Sequence, residues 1–161
     1  MSDAAPVPSL VEWAGGPPAF HALAERFYAK VPQDALLAPI FASMNPEHAH
    51  HVADFVAEVF GDPARPYSAA GGSHAKMIAH HLGRHLTEAQ RKRWITLMLE
   101  TVDEAGLPDD PEFRAALVGY LEWATRLAVL NSQPGVVAPQ PDMAMPVWGW
   151  GPPGGPYRGP A

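Results

Sequence analysis

Residues 73–94 read SHAKMIAHHLGRHLTEAQRKRW and hold four of the chain's eight histidines. Met77 and His81 stand four residues apart, so on a helix they share one face. Gly83 marks a helix end, and Thr87 with Gln90 makes a capping box that opens the next helix. The spacing predicts one imidazole projecting from a short helix, then a long helix that carries Trp94 on its first turns. Such a layout can hold a single axial metal ligand over an apolar slot.

Toward the C-terminus, residues 87–105 read as a helix with Trp94, Leu97, Met98 and Val102 on one face and Gly106 closing it. Glu88, Arg91, Lys92 and Arg93 form its wet side. Asp110-Pro111 starts a last helix, a capping residue followed by Pro. Its stripe is Phe113, Leu117, Tyr120, Leu121, Ala124, Leu127 and Ala128, ending near Asn131.

Toward the N-terminus, residues 63–72 form a loop rich in Pro, Gly and Ala. Asn45-Pro46-Glu47 is a helix start: a capping Asn, Pro at the first position and an acid in the first turn. That helix runs to about Phe60, with His48, His51, Val52, Phe55, Val56 and Val59 on or near one face and His50 pointing away. Leu36-Leu37 and Ile40-Phe41 read as a short turn of helix that buries Phe41. From Phe20 to Val31 the apolar residues recur at three and four, an amphipathic helix with Tyr28 on its buried stripe. Its hydroxyl either satisfies a backbone partner in the core or faces a ligand, and periodicity alone does not separate the two. No stretch alternates with period two for long enough to make a strand. The fold class is all-α.

The chain has 161 residues, enough for one domain with a real core. Its formal charge of -6 argues against nucleic acid or an anionic membrane as partner. With no cysteine, disulfides, thiolate nucleophiles and iron–sulfur clusters are excluded. No apolar run approaches the roughly 20 residues of a membrane span, and the N-terminus lacks the layout of a signal peptide; the expected location is cytoplasmic. Residues 1–10 read as a flexible leader and 11–132 as the helical domain. Residues 133–161 hold eight of the 19 prolines and six of the 14 glycines and read as an irregular tail. Trp148 and Trp150 in that tail are expected to dock back on the domain, because bare tryptophans in water are a liability.

No Ser/His/Asp order, Walker loop or Rossmann glycine pattern is present. A histidine-only zinc site at His81 and His85 is disfavoured by Gly83 between them and by the missing glutamate of an HExxH helix. A haem pocket fits better: one axial His, apolar helix faces, and polar Tyr, Trp and His groups able to reach a bound gas.

Five stretches carry a resemblance to a known family: EWAGGPPAFHALAERFYAKV (12–31), FVAEVFGDPARPYS (55–68), GGSHAKMIAHH (71–81), LTEAQRKRW (86–94) and YLEWATRLAVLNS (120–132). Over residues 11–132 the chain resembles the group II truncated haemoglobins of bacteria, and the spacing His74–His81–Trp94 is the most specific part of the match. The resemblance implies a two-on-two helical sandwich around haem b. It implies His81 as proximal iron ligand, Tyr28 as distal hydroxyl, and Trp94 as the distal indole, a donor only. Phe41 matches the aromatic packed against the haem face. His48 falls at a distal gate where many relatives carry a small residue. Val52, Phe55 and Met77 would line the pocket, and Lys76 or Arg84 would meet a propionate. The second glycine motif departs from the pattern, reading Gly61-Asp62 in place of two glycines.

The implied function is reversible binding of oxygen, nitric oxide or carbon monoxide at a His-ligated iron, with a redox or detoxification role. Several distal donors slow oxygen release, which disfavours bulk oxygen transport. One alternative is a haem enzyme, a nitric oxide dioxygenase or peroxidase-like, supplied by a reductase. Another is a haem-free helical interaction module. A monomer or a homodimer is expected.

Overall fold

The computed structural model describes residues 4–160, and these are all-helical, without a strand among them. The helices are α1 (Leu10–Trp13), α2 (Pro17–Lys30), α3 (Ala38–Phe41), α4 (His48–Val59), α5 (Pro66–Ala69), α6 (His74–Ala79), α7 (Glu88–Glu104) and α8 (Pro111–Asn131). A single 3₁₀ turn, Val31–Gln33, follows α2.

The two longest helices, α7 and α8, start where side chains satisfy their free N–H groups. Thr87 accepts from Gln90 N while Gln90 bonds back to Thr87 N, the expected capping box. Asp110 accepts from Phe113 N at 2.9 Å, with Pro111 at the first helical position. A second box, Ser9 with Glu12, opens α1. The turn from α1 into α2 runs through Gly15 and Gly16 at φ 107° and 91°, a region other residues seldom adopt. It lets Gly16 N donate to Val11 O at 2.8 Å just before Pro17-Pro18 start α2.

Packing forms two helix pairs. α2 lies chiefly against α4 and also meets α7, which packs on α8, the two-on-two sandwich that the resemblance implied. Phe20, Phe27, Phe60 and Phe113 are fully buried between the pairs. Phe20 meets Phe60 edge to face at 5.5 Å. The expected leader ends inside this core, since Leu10 is buried; its residues 1–3 lie outside the described residues.

Four local expectations differ. Asn45 does not cap α4; its side chain accepts from Glu47 N at 2.8 Å in a separate turn, and the helix starts at His48. α6 ends at Ala79, short of His81, because the His81 N–H tightens onto Ile78 O three residues back. Arg91 is not on the wet side of α7: it is buried, paired with Glu88 and Glu122. In the turn before α4, Leu37 is the fully buried residue and Phe41 only half so.

The tail lies on the helical body as expected, although residues 133–160 contain no helix. The Trp148 indole donates to Ala116 O at 3.0 Å and its ring packs on Tyr120 and Trp123. The Trp148 backbone N donates to Val59 O at 2.9 Å. Trp150 donates to Pro8 O at 2.9 Å and meets Trp13 edge-on. Trp148→Ala is expected to destabilise the chain by about 2 kcal/mol, the low end for a buried aromatic because this ring is half-exposed. A urea midpoint equal to that of the unaltered chain would show that the tail contributes nothing.

Candidate functional site

A cavity of about 550 Å³ opens between α2, α3, α4, α6, α7 and α8, within the range of small-molecule and cofactor sites. Its walls are mainly apolar: Leu23, Phe41, Val52, Phe55, Met77 and Met98 are among them. The polar groups that reach it come from separate elements, and their hydrogen bonds define what each can do.

His81 comes from the turn after α6. Its Nδ1–H donates to Met77 O at 2.9 Å, four residues back, so the shared face read from the sequence survives although the helix itself has ended. A carbonyl only accepts, which places the ring proton on Nδ1 and leaves the Nε2 lone pair for a metal. Burial lowers the His81 pKa, partly opposed by the Met77 bond and reinforced by nearby Arg84 and His80. The imidazole is therefore neutral near pH 7, the form that ligates metals.

Tyr28 projects from the buried stripe of α2, and His48 from the first position of α4. Their hydroxyl and Nε2 lie 3.1 Å apart. Burial pushes the Tyr28 hydroxyl far above its ordinary value, partly offset by a hydrogen bond with the Trp94 side chain, so it keeps its proton. Burial also lowers the His48 pKa to about 4, helped by His80 and Arg84, so this ring too is neutral. Phe41 closes the group, its ring 5.6 Å from Tyr28 and 5.8 Å from His48. Trp94 meets Phe27 at 5.1 Å.

All the residues singled out from the sequence line this cavity except Lys76. Lys76 donates from Nζ to Gly71 O at 2.7 Å. Arg84 borders the cavity while its Nε bonds to His80 O. The cavity also reaches Tyr120 of α8, read only as part of a core stripe, and Trp123, which the sequence reading did not single out. His74 stacks between Phe55 and Trp123 at 6.4 and 6.3 Å. Gly61 adopts φ 103° and an added Cβ would come within 2.9 Å of Ser9, while Asp62 caps Ala64 N, so one glycine suffices in this turn.

The family model for bacterial-like globins matches residues 9–126. The group 2 truncated haemoglobin YjbI of Bacillus subtilis is 31% identical over 111 residues, 69% of this chain and 81% of that protein. Among solved structures, the truncated oxygen-avid haemoglobin of Bacillus subtilis superposes with a TM-score of 0.65 at 30% identity, covering 76% of this chain and 99% of that one. The thermostable haemoglobin of Thermobifida fusca gives 0.65 at 29%, covering 76% and 97%.

These relatives imply haem with its iron as cofactor, and the cavity fits that group. Its walls are apolar, and its donor set offers one neutral imidazole with a free Nε2. The chain belongs to the bacterial-like globin family, as a truncated haemoglobin of group II with haem as its cofactor.

Proposed function

We propose that His81 holds the haem iron through Nε2 and that the chain binds oxygen and other diatomic gases reversibly beside Tyr28, His48 and Trp94. When bound, haem would supply an iron able to take such a ligand and the one-electron chemistry that goes with it. The observation that carries this reading is the Tyr28 hydroxyl set 3.1 Å from His48 Nε2 in the cavity wall, with Trp94 lining the same cavity. A hydroxyl has two acceptor sites and one proton, and the Trp94 indole N–H is a donor only. His48, neutral, fills one acceptor site of Tyr28 when its proton sits on Nε2. The Tyr28 proton is then free to be donated to a ligand in the cavity.

A gaseous ligand that carries partial negative charge gains about 1.5–3 kcal/mol from each such charge-assisted bond. At 1.4 kcal/mol per tenfold, its release slows by about one to two orders of magnitude per donor. Slow release suits redox turnover or detoxification of reactive small molecules better than bulk oxygen transport. The relative described as oxygen-avid, 30% identical, is consistent with tight holding.

The Tyr28 bond also holds the His48 ring in place. The reduced, ligand-free, haem-loaded chain is therefore expected to show the broad absorption band of five-coordinate iron. A sharp, split six-coordinate spectrum would mean that His48 leaves Tyr28 in the resting state, and the distal arrangement argued above would be wrong.

A further inference from the structure

A second group of ligating side chains sits where α2 crosses α4, and none of its members lines the haem cavity. We propose that His21, His50 and Asp54 form a site for a divalent transition metal, zinc foremost. His21 Nε2 lies 3.0 Å from Asp54 Oδ1, and His50 Nε2 lies 3.2 Å from Asp54 Oδ2. The two imidazoles face each other with ring centroids 4.7 Å apart. One ligand atom from each residue falls within 4.8 Å of the other two.

Zinc is held tetrahedrally by imidazole nitrogen and carboxylate oxygen at about 2.0–2.2 Å, which puts neighbouring ligand atoms about 3.3–3.6 Å apart. Each nitrogen already stands near that spacing from one carboxylate oxygen, His21 from Oδ1 and His50 from Oδ2. One ring has to turn for both to share a metal with a single oxygen. His50 can do this, since 58% of its side chain is exposed. Three protein ligands leave the fourth position to water, the open form of such a site.

The charge balance points the same way. The Asp54 side chain is only 12% exposed, and among the described residues its ion-pairing partners are these two histidines, with no Lys or Arg. A buried carboxylate is costly without a compensating charge. The two Nε2 atoms lie against its oxygens, and a dication would also balance its charge. In the metal-bound form each Nε2 presents its lone pair with the ring proton on Nδ1, so that both nitrogens facing Asp54 are ligands. Because His21 stands on α2 and the other two on α4, the metal would clamp together the helices that carry Tyr28 and His48.

The test is calorimetric titration of zinc sulfate into the chelator-washed, haem-loaded full chain, with cobalt(II) as a spectroscopic substitute. One zinc per chain is expected, and a visible cobalt band of tetrahedral intensity. His50→Ala alters an exposed position and should keep the fold by circular dichroism. It should weaken zinc binding by more than the roughly 10–100-fold that loss of an outer-shell partner costs. His21→Ala should do the same, and His85→Ala, at an exposed position outside the cluster, should leave it unchanged. Absence of uptake, binding only at millimolar zinc, or equal affinity in the unaltered chain and His50→Ala would overturn the proposal. The cluster would then be a hydrogen-bonded bridge between two helices and nothing more.

Discussion

His81→Ala is expected to lose its haem. His81 is the one imidazole in the cavity whose Nδ1 is committed to a backbone carbonyl four residues back, which orients the ring and leaves Nε2 free. Elsewhere in the cavity, His48 is committed to Tyr28, and His74 stacks between two aromatic rings. Haem absorbance per chain after gel filtration should fall from about one equivalent to a small fraction. His80→Ala is the matched control, because His80 is an exposed helix-capping residue next in sequence and should keep its haem. Full haem retention in His81→Ala, with the helical fold intact, would remove His81 as the ligand.

Oxygen release should be about 10- to 100-fold faster in Tyr28→Phe, the loss of one charge-assisted donor. The substitution leaves ring packing against Phe27, Phe41 and His48 nearly unchanged, so the hydroxyl is what it tests. It also strips His48 of its partner, and that ring could then turn toward the ligand and recover part of the loss. Trp94→Phe should be faster than the unaltered chain as well. Because Tyr28 and Trp94 line one cavity, the double variant should show less than the product of the two single effects. An oxygen off-rate in stopped-flow displacement that is unchanged in both single variants would take Tyr28 and Trp94 out of the distal network.

Much of the helical fold could be read from short-range chemistry. The Thr87–Gln90 box and the Asp110-Pro111 start are local patterns, and α7 and α8 begin where they predict. Tyr28 was left open between core and ligand because a helical stripe cannot report what lies across from it. The structure buries Tyr28 in the cavity wall and sets its hydroxyl beside the His48 ring, not a backbone group. Asn45 misled because an Asn-Pro-Glu sequence caps a turn as readily as a helix, and here it did the former. Arg91 was read as solvated because its partner Glu122 lies on another helix, 31 residues away. The same limit hid the pairing of His50 with His21. The four-residue spacing of His50 and Asp54 is visible in the sequence, but the crossing that brings in α2 is not. The residues nearest the cavity were the easiest to name, because the resemblance to group II truncated haemoglobins identified them as a set.

The clasp made by Trp150 on Pro8 joins residues 142 positions apart. A ribosome adds about 5–20 residues per second, so the first helix emerges roughly 7–30 s before the segment that covers it. During that interval α1 and the Trp13 ring wait for a partner that has yet to be made. The clasp is therefore a timing device as well as a contact: closure over α1 waits for a segment synthesised 142 positions later.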